Sequence, residues 1–151
     1  MQTRRDTLKQ SAIVASLIAG TGLFPQFALA YIKAAFDAKT VADVMKALSA
    51  EAPTESKDVT IGAPDIAENG AVVPLTASTT LAGVKHMLIL VEKNPAALIA
   101  QFNVTDSVEA NFATRAKMGQ SSDVYAVAAM NDGKAFFAKK EVKVTLGGCG
   151  G

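Results

Sequence analysis

The sequence predicts a mainly β chain: an immunoglobulin-like antiparallel β-sandwich with an N-terminal helical segment and a flexible C-terminal Gly-Gly-Cys-Gly-Gly arm. Three observations carry that prediction. Between residues 57 and 145, seven short runs with strand character are separated by turn signals. Ahead of them, residues 32–50 repeat their apolar side chains mostly at three and four positions, the period of a helix. Behind them the chain ends in "VTLGGCGG", where four glycines flank the only cysteine.

The first 30 residues read as an address. Arg4 and Arg5 stand ahead of the uncharged apolar stretch at residues 11–23, and Ala28-Leu29-Ala30 supplies the small-x-small pattern of a signal-peptidase site. The stretch is shorter than the roughly 20 apolar residues a membrane span needs. Residues 1–30 are therefore expected to be a cleaved signal peptide of twin-arginine type, although Thr7 stands where that motif usually carries a large apolar residue. A general secretory signal shares the other features, and both routes lead out of the cytoplasm. Removing Arg4, Arg5, Lys9 and Asp6 with the signal leaves 12 basic against 13 acidic residues. A nearly neutral chain of that kind has no basic field for nucleic acid, no polybasic patch for a membrane surface, and length for one domain.

In the helical segment, Ile32, Phe36, Val41, Val44, Met45 and Leu48 form the apolar stripe, with Thr40 placed to cap a second helical piece. Residues 51–58, "EAPTESKD", read as a linker, so residues 31–56 make up the helical segment and its exit. The strands then follow in order: 58–62, 71–79, 85–93, 97–104, 110–118, 122–130 and 135–145. Pro74 lacks a backbone donor, which predicts an edge or a bulge at that point. "KHMLILVEK" is apolar almost throughout, as a central strand is. "NDG", residues 131–133, predicts a hairpin of type I′ between the last two strands. The disulfide and tryptophan of antibody domains are absent: there is one Cys and no Trp.

The body carries no constellation for catalysis. His86, the only histidine, sits in an apolar run and reads as a strand residue satisfied by packing and one hydrogen bond. No second histidine or cysteine could complete a zinc site with it. Asp65, Glu68, Asp123 and Asp132 read as solvated turn residues rather than an acid–base pair. No catalytic residue, resident cofactor or metal is expected, and the chain is read as a non-enzymatic protein. Apolar side chains in residues 32–48 and 88–91 serve either the core or a partner interface.

The tail differs in kind. Glycine loses the most conformational entropy on ordering, so Gly147, Gly148, Gly150 and Gly151 oppose any fixed conformation around Cys149 and make the segment narrow. A thiol on such an arm, residues 146–151, can reach sites in other proteins. From the residues alone, alternatives stay open: a disulfide homodimer through Cys149, a lipid or cofactor thioether, or a tail without a task.

"AENGAVVPL" (67–75), "VEKNP" (91–95) and "QSSDVYAVAAMNDGKAFFAKKEVKVTLGGCGG" (120–151), with the twin-arginine start, resemble the SoxY family of sulfur carriers from the thiosulfate-oxidising Sox system. The resemblance implies a heterodimer or higher assembly with a SoxZ-like subunit. It also implies covalent sulfur intermediates on Cys149, and an arm formed by Gly147, Gly148, Gly150 and Gly151. It further implies loading by a c-type cytochrome complex, sulfate release by a hydrolase, and oxidation of the retained sulfur by a sulfane dehydrogenase. The reading from another class is a structural sandwich whose tail only forms an intermolecular disulfide.

Overall fold

The computed structural model describes residues 33–145. Two short helices come first, α1 at residues 33–37 and α2 at Val41–Ala47. The break between them falls where the sequence places it: the Thr40 side chain accepts the Asp43 N–H at 3.1 Å and its hydroxyl donates to the Asp43 carboxylate at 2.7 Å. Such a cap contributes about 1 kcal/mol. The helix ends at Ala47 with Leu48 as its C-cap, and Ser49, at φ 51°, turns the chain away.

Nine strands follow: β1 Thr54–Glu55, β2 Val59–Gly62, β3 Ile66–Ala67, β4 Val73–Thr79, β5 Val84–Val91, β6 Leu98–Asn103, β7 Asn111–Ala116, β8 Ser122–Met130 and β9 Ala135–Val144. The larger sheet runs β1-β9-β8-β5-β6, with β3 also paired to β9, and the smaller runs β2-β4-β7. The long pairings are antiparallel, while β1 and β3 each add to β9 in parallel. The expected sandwich and its N-terminal helical segment are present. The Gly-Gly-Cys-Gly-Gly arm and the signal peptide lie outside the described residues.

The alternation of strand side chains explains both faces of the larger sheet. Met87, Ile89 and Val91 of β5, with Val124, Ala126 and Ala128 of β8, meet Val73, Leu75 and Ala77 of β4 between the sheets. Leu88 and Leu90, with Val127 of β8, point the other way, onto Ala35, Val44, Met45 and Leu48 of the helices. A strand buried on both faces needs apolar residues at consecutive positions, which is why residues 87–91 read as an unbroken apolar run. Val44, Leu88 and Leu90 are all fully buried, so these side chains belong to a core.

Three sequence expectations change in detail. The stretch read as a linker contributes β1, whose Thr54 and Glu55 pair with Phe136 and Phe137. Pro74 lies in the middle strand of the smaller sheet, but β2 pairs only as far as Thr76, so at Pro74 the strand has β7 alone beside it. The β8–β9 hairpin forms with one left-handed residue, Gly133 at φ 92°, where type I′ requires two. The Gly133 N–H donates to the Met130 carbonyl at 3.3 Å and the Met130 N–H to the Lys134 carbonyl at 2.8 Å, a turn closed by a glycine bulge. Asp132 stays at negative φ because its carboxylate accepts the Lys134 N–H at 3.1 Å within the turn.

Candidate functional site

The last described residues of β9 form the base from which the cysteine-bearing segment departs. β8 pairs with β9 only as far as Val142, opposite Ser122, so residues 143–145 need other partners. β3 supplies them on one side: Ile66 pairs with Lys143 and Ala67 with Val144. The Lys143 N–H donates to the Asp65 carbonyl at 3.0 Å and the Thr145 N–H to the Ala67 carbonyl at 3.1 Å. On the other side the Val144 N–H donates to the Ser121 hydroxyl at 2.9 Å. The backbone is thus hydrogen-bonded through Thr145, four residues before Cys149.

A glycine turn closes over this base. The Asn69 side-chain oxygen accepts the Ala71 N–H at 2.9 Å, and the Gly70 carbonyl accepts the Met118 N–H at 2.7 Å. A Cβ on Gly70 would lie 2.4 Å from the Met118 carbonyl oxygen and 2.8 Å from Val144, so the loop closes here only without a side chain. Lys140 ties the same flank down, donating to the Ala63 carbonyl at 2.6 Å and pairing with Asp65 at 2.9 Å. Extended chain spans about 3.3 to 3.6 Å per residue, so the Cα of a cysteine four residues beyond Thr145 lies at most ~14 Å from this fixed point.

Cys149, Gly147, Gly148, Gly150 and Gly151 lie outside the described residues. His86 stands near the start of β5, at the opposite end of the strands from Thr145. Its Nδ1 is 2.9 Å from the Asn103 side-chain oxygen, and burial pushes its pKa down despite that hydrogen bond. Asp123 pairs with Lys139 and Asp132 with Lys134, both at 3.0 Å, as turn and strand-end residues do. Among the described residues no group of three or more His, Asp or Glu side chains is arranged for a metal, and no helix is long and apolar enough to cross a membrane. Sequence reasoning missed Ala67, Gly70 and Ser121 as the groups that hold the base. Gly70 in "ENG" was the one visible signal; a two-residue strand and a lone serine carry no periodicity.

Comparison with known proteins adds identity to this geometry. Residues 44–149 match the family described as sulfur oxidation protein SoxY, a span that runs from the helix to the cysteine. The solved structure of the sulfur carrier protein SoxY from Chlorobium limicola f thiosulfatophilum is 32% identical, with a TM-score of 0.63 over 71% of this chain and 97% of that one. A variant superoxide reductase (neelaredoxin) from Ignicoccus hospitalis, 19% identical with a TM-score of 0.51 over 65% of this chain and 85% of its own, is similar in fold alone. No curated protein matches. Since both the matched span and the fold extend over most of the chain, it belongs to the SoxY family of sulfur oxidation proteins.

Proposed function

We propose that this chain is a periplasmic covalent sulfur carrier that holds thiosulfate-derived intermediates on Cys149 and presents them to partner enzymes. The observation that carries the reading is the hydrogen-bonded backbone at Val144 and Thr145, four residues before the only cysteine in the chain. A firm base followed in sequence by four glycines around one cysteine suits a group that several different sites must accept. The similarity to the sulfur carrier protein SoxY of Chlorobium limicola f thiosulfatophilum supports the same role. The signal-like residues 1–30 support export by the twin-arginine route.

The chemistry divides between the chain and its partners. Joining the Cys149 thiol to the outer sulfur of thiosulfate forms one S–S bond, releases one proton and removes two electrons, which a c-type cytochrome complex accepts. Water then cleaves the bond between that sulfur and the sulfonate: sulfate and two protons leave, and a persulfide anion stays on Cys149. A sulfane dehydrogenase oxidises the retained sulfur in place. Disulfide-like sulfur is held covalently yet remains open to thiolate attack and oxidation, so the intermediate neither diffuses away nor becomes inert. A SoxZ-like subunit completes the assembly. The chain itself contributes attachment and reach.

The test is the intact mass of the protein isolated from cells oxidising thiosulfate, before and after mild reduction. A reducible sulfur adduct on Cys149, absent from Cys149→Ser, is the expected result. A thiol found solely in symmetric disulfide dimers, with thiosulfate and partners present, would overturn the carrier reading in favour of a structural tail.

A further inference from the structure

The turn at residues 67–72, "AENGAV", holds a reactive pair beside the base of the tail. Asn69 is the only asparagine in the chain followed by glycine, and it is exposed. An asparagine side chain lies one bond short of a five-membered ring with the next backbone nitrogen, and a side chain on the following residue ordinarily hinders that closure; residue 70 has none. The Gly70 N–H donates to no acceptor among the described residues, so its nitrogen is not held. The Asn69 Oδ1 accepts the Ala71 N–H at 2.9 Å, a donor placed where negative charge develops when a nucleophile adds to Cγ. The other asparagines differ. Asn94 precedes proline, and Asn103, Asn111 and Asn131 precede Val, Phe and Asp. The amide nitrogens of Asn94 and Asn131 are tied to the Lys117 and Gly83 carbonyls at 2.8 and 3.1 Å, whereas that of Asn69 donates to no acceptor among the described residues.

We propose that Asn69 is a self-modification site: its side-chain amide is lost to attack by the Gly70 nitrogen, and the product loosens the base from which the tail departs. The Gly70 nitrogen bonds to Asn69 Cγ and gives up its proton, and the side-chain nitrogen leaves as ammonia, which closes a cyclic imide. Water then opens the ring. Cleavage of the Cγ–N bond restores the backbone with an aspartate at 69; cleavage at the main-chain carbonyl leaves the chain running through the side chain, longer by one methylene. Nothing is oxidised or reduced, and water is the only co-reactant. The lengthened link acts where the packing has no slack. The Gly70 carbonyl accepts the Met118 N–H at 2.7 Å, and a single added carbon on Gly70 would lie 2.4 Å from the Met118 carbonyl oxygen and 2.8 Å from Val144. Either product also adds a carboxylate next to Glu68, a like charge that opposes the closed turn. Ageing of the chain thus frees Val144 and Thr145 to open locally. The proposal stands on the chemistry of the turn and does not depend on sulfur loading.

Ageing of the folded Cys149→Ser chain at mildly alkaline pH, followed by peptide mapping, tests it. The peptide holding Asn69 should gain the mass of an amide-to-acid change and split into two isomers, one of them a substrate for an isoaspartyl methyltransferase. It should do so ahead of the peptides holding Asn103, Asn111 and Asn131. Amide exchange at Val144 and Thr145 should quicken as the modified fraction grows. Asn69→Ser keeps an oxygen for the Ala71 N–H and removes the reaction, so its exchange should be the same fresh and aged. Thermal unfolding of fresh parent and variant checks that the fold survives the substitution. An Asn69 that outlasts the other asparagines in the folded chain, or reacts only when the chain is unfolded in urea, would overturn the proposal. So would a modified chain whose Val144 and Thr145 exchange as in the fresh one, or an Asn69→Ser chain that quickens on ageing as the parent does.

Discussion

One sheet has two edges, and the sequence invests in them unequally. The β9 edge carries two short parallel strands, a lysine donating to a carbonyl at 2.6 Å and a serine accepting the Val144 N–H. The β6 edge carries an uncharged strand and an unpartnered amide oxygen. The physical demand differs. β9 continues into the cysteine-bearing tail, and any fraying there would lengthen the tether and blur where the thiol can reach. β6 leads on to β7 within the fold, and its outer edge carries no such demand. Stability has been placed where a position must be defined.

That contrast can be broken from the closed side. Gly70→Ala should have the largest effect: the added Cβ collides with the Met118 carbonyl and with Val144, and forcing it in costs about 1 to 3 kcal/mol, read as a lower urea midpoint at unchanged slope. Amide exchange at Val144 and Thr145 should quicken in the same variant. Ser121→Ala is milder, removing one acceptor and costing about 1 kcal/mol, with faster exchange at Val144 as its local signature. If neither variant altered exchange at the end of β9, the base would not be the fixed point described above.

On the open side the expected effect is smallest and depends on pH. Burial depresses the His86 pKa below the ordinary 6.5 of an unfolded chain. The unfolded state therefore takes up the proton first as pH falls, and stability that is complete above about pH 6.5 declines below it. His86→Gln cannot titrate, so its stability should be flatter between about pH 7 and pH 5 than that of the parent, measured by denaturant unfolding at each pH.

How far the sequence alone could be read follows from the range of each interaction. Thr40 announced its helix because capping acts over three residues, and the tail announced itself because glycine and cysteine owe their properties to the residue itself. The apolar run 87–91 indicated a central strand, but its second buried face, against Val44 and Met45, depends on where the helix lies. Glycine at 133 marked a hairpin, while the turn type was decided by the Asp132 carboxylate accepting the Lys134 N–H.

By itself, then, the sequence determined the seven longer strands, the helical segment ahead of them and the position of the only cysteine, since all three rest on local composition and period. Only the tertiary structure decided which strand is an edge, that β1 and β3 close one of the two edges, and that Ser121, Ala67 and Gly70 converge on the residues preceding the tail. Those pairings join positions from about 20 to 80 residues apart, and two-residue strands leave no periodic trace by which the chain could declare them.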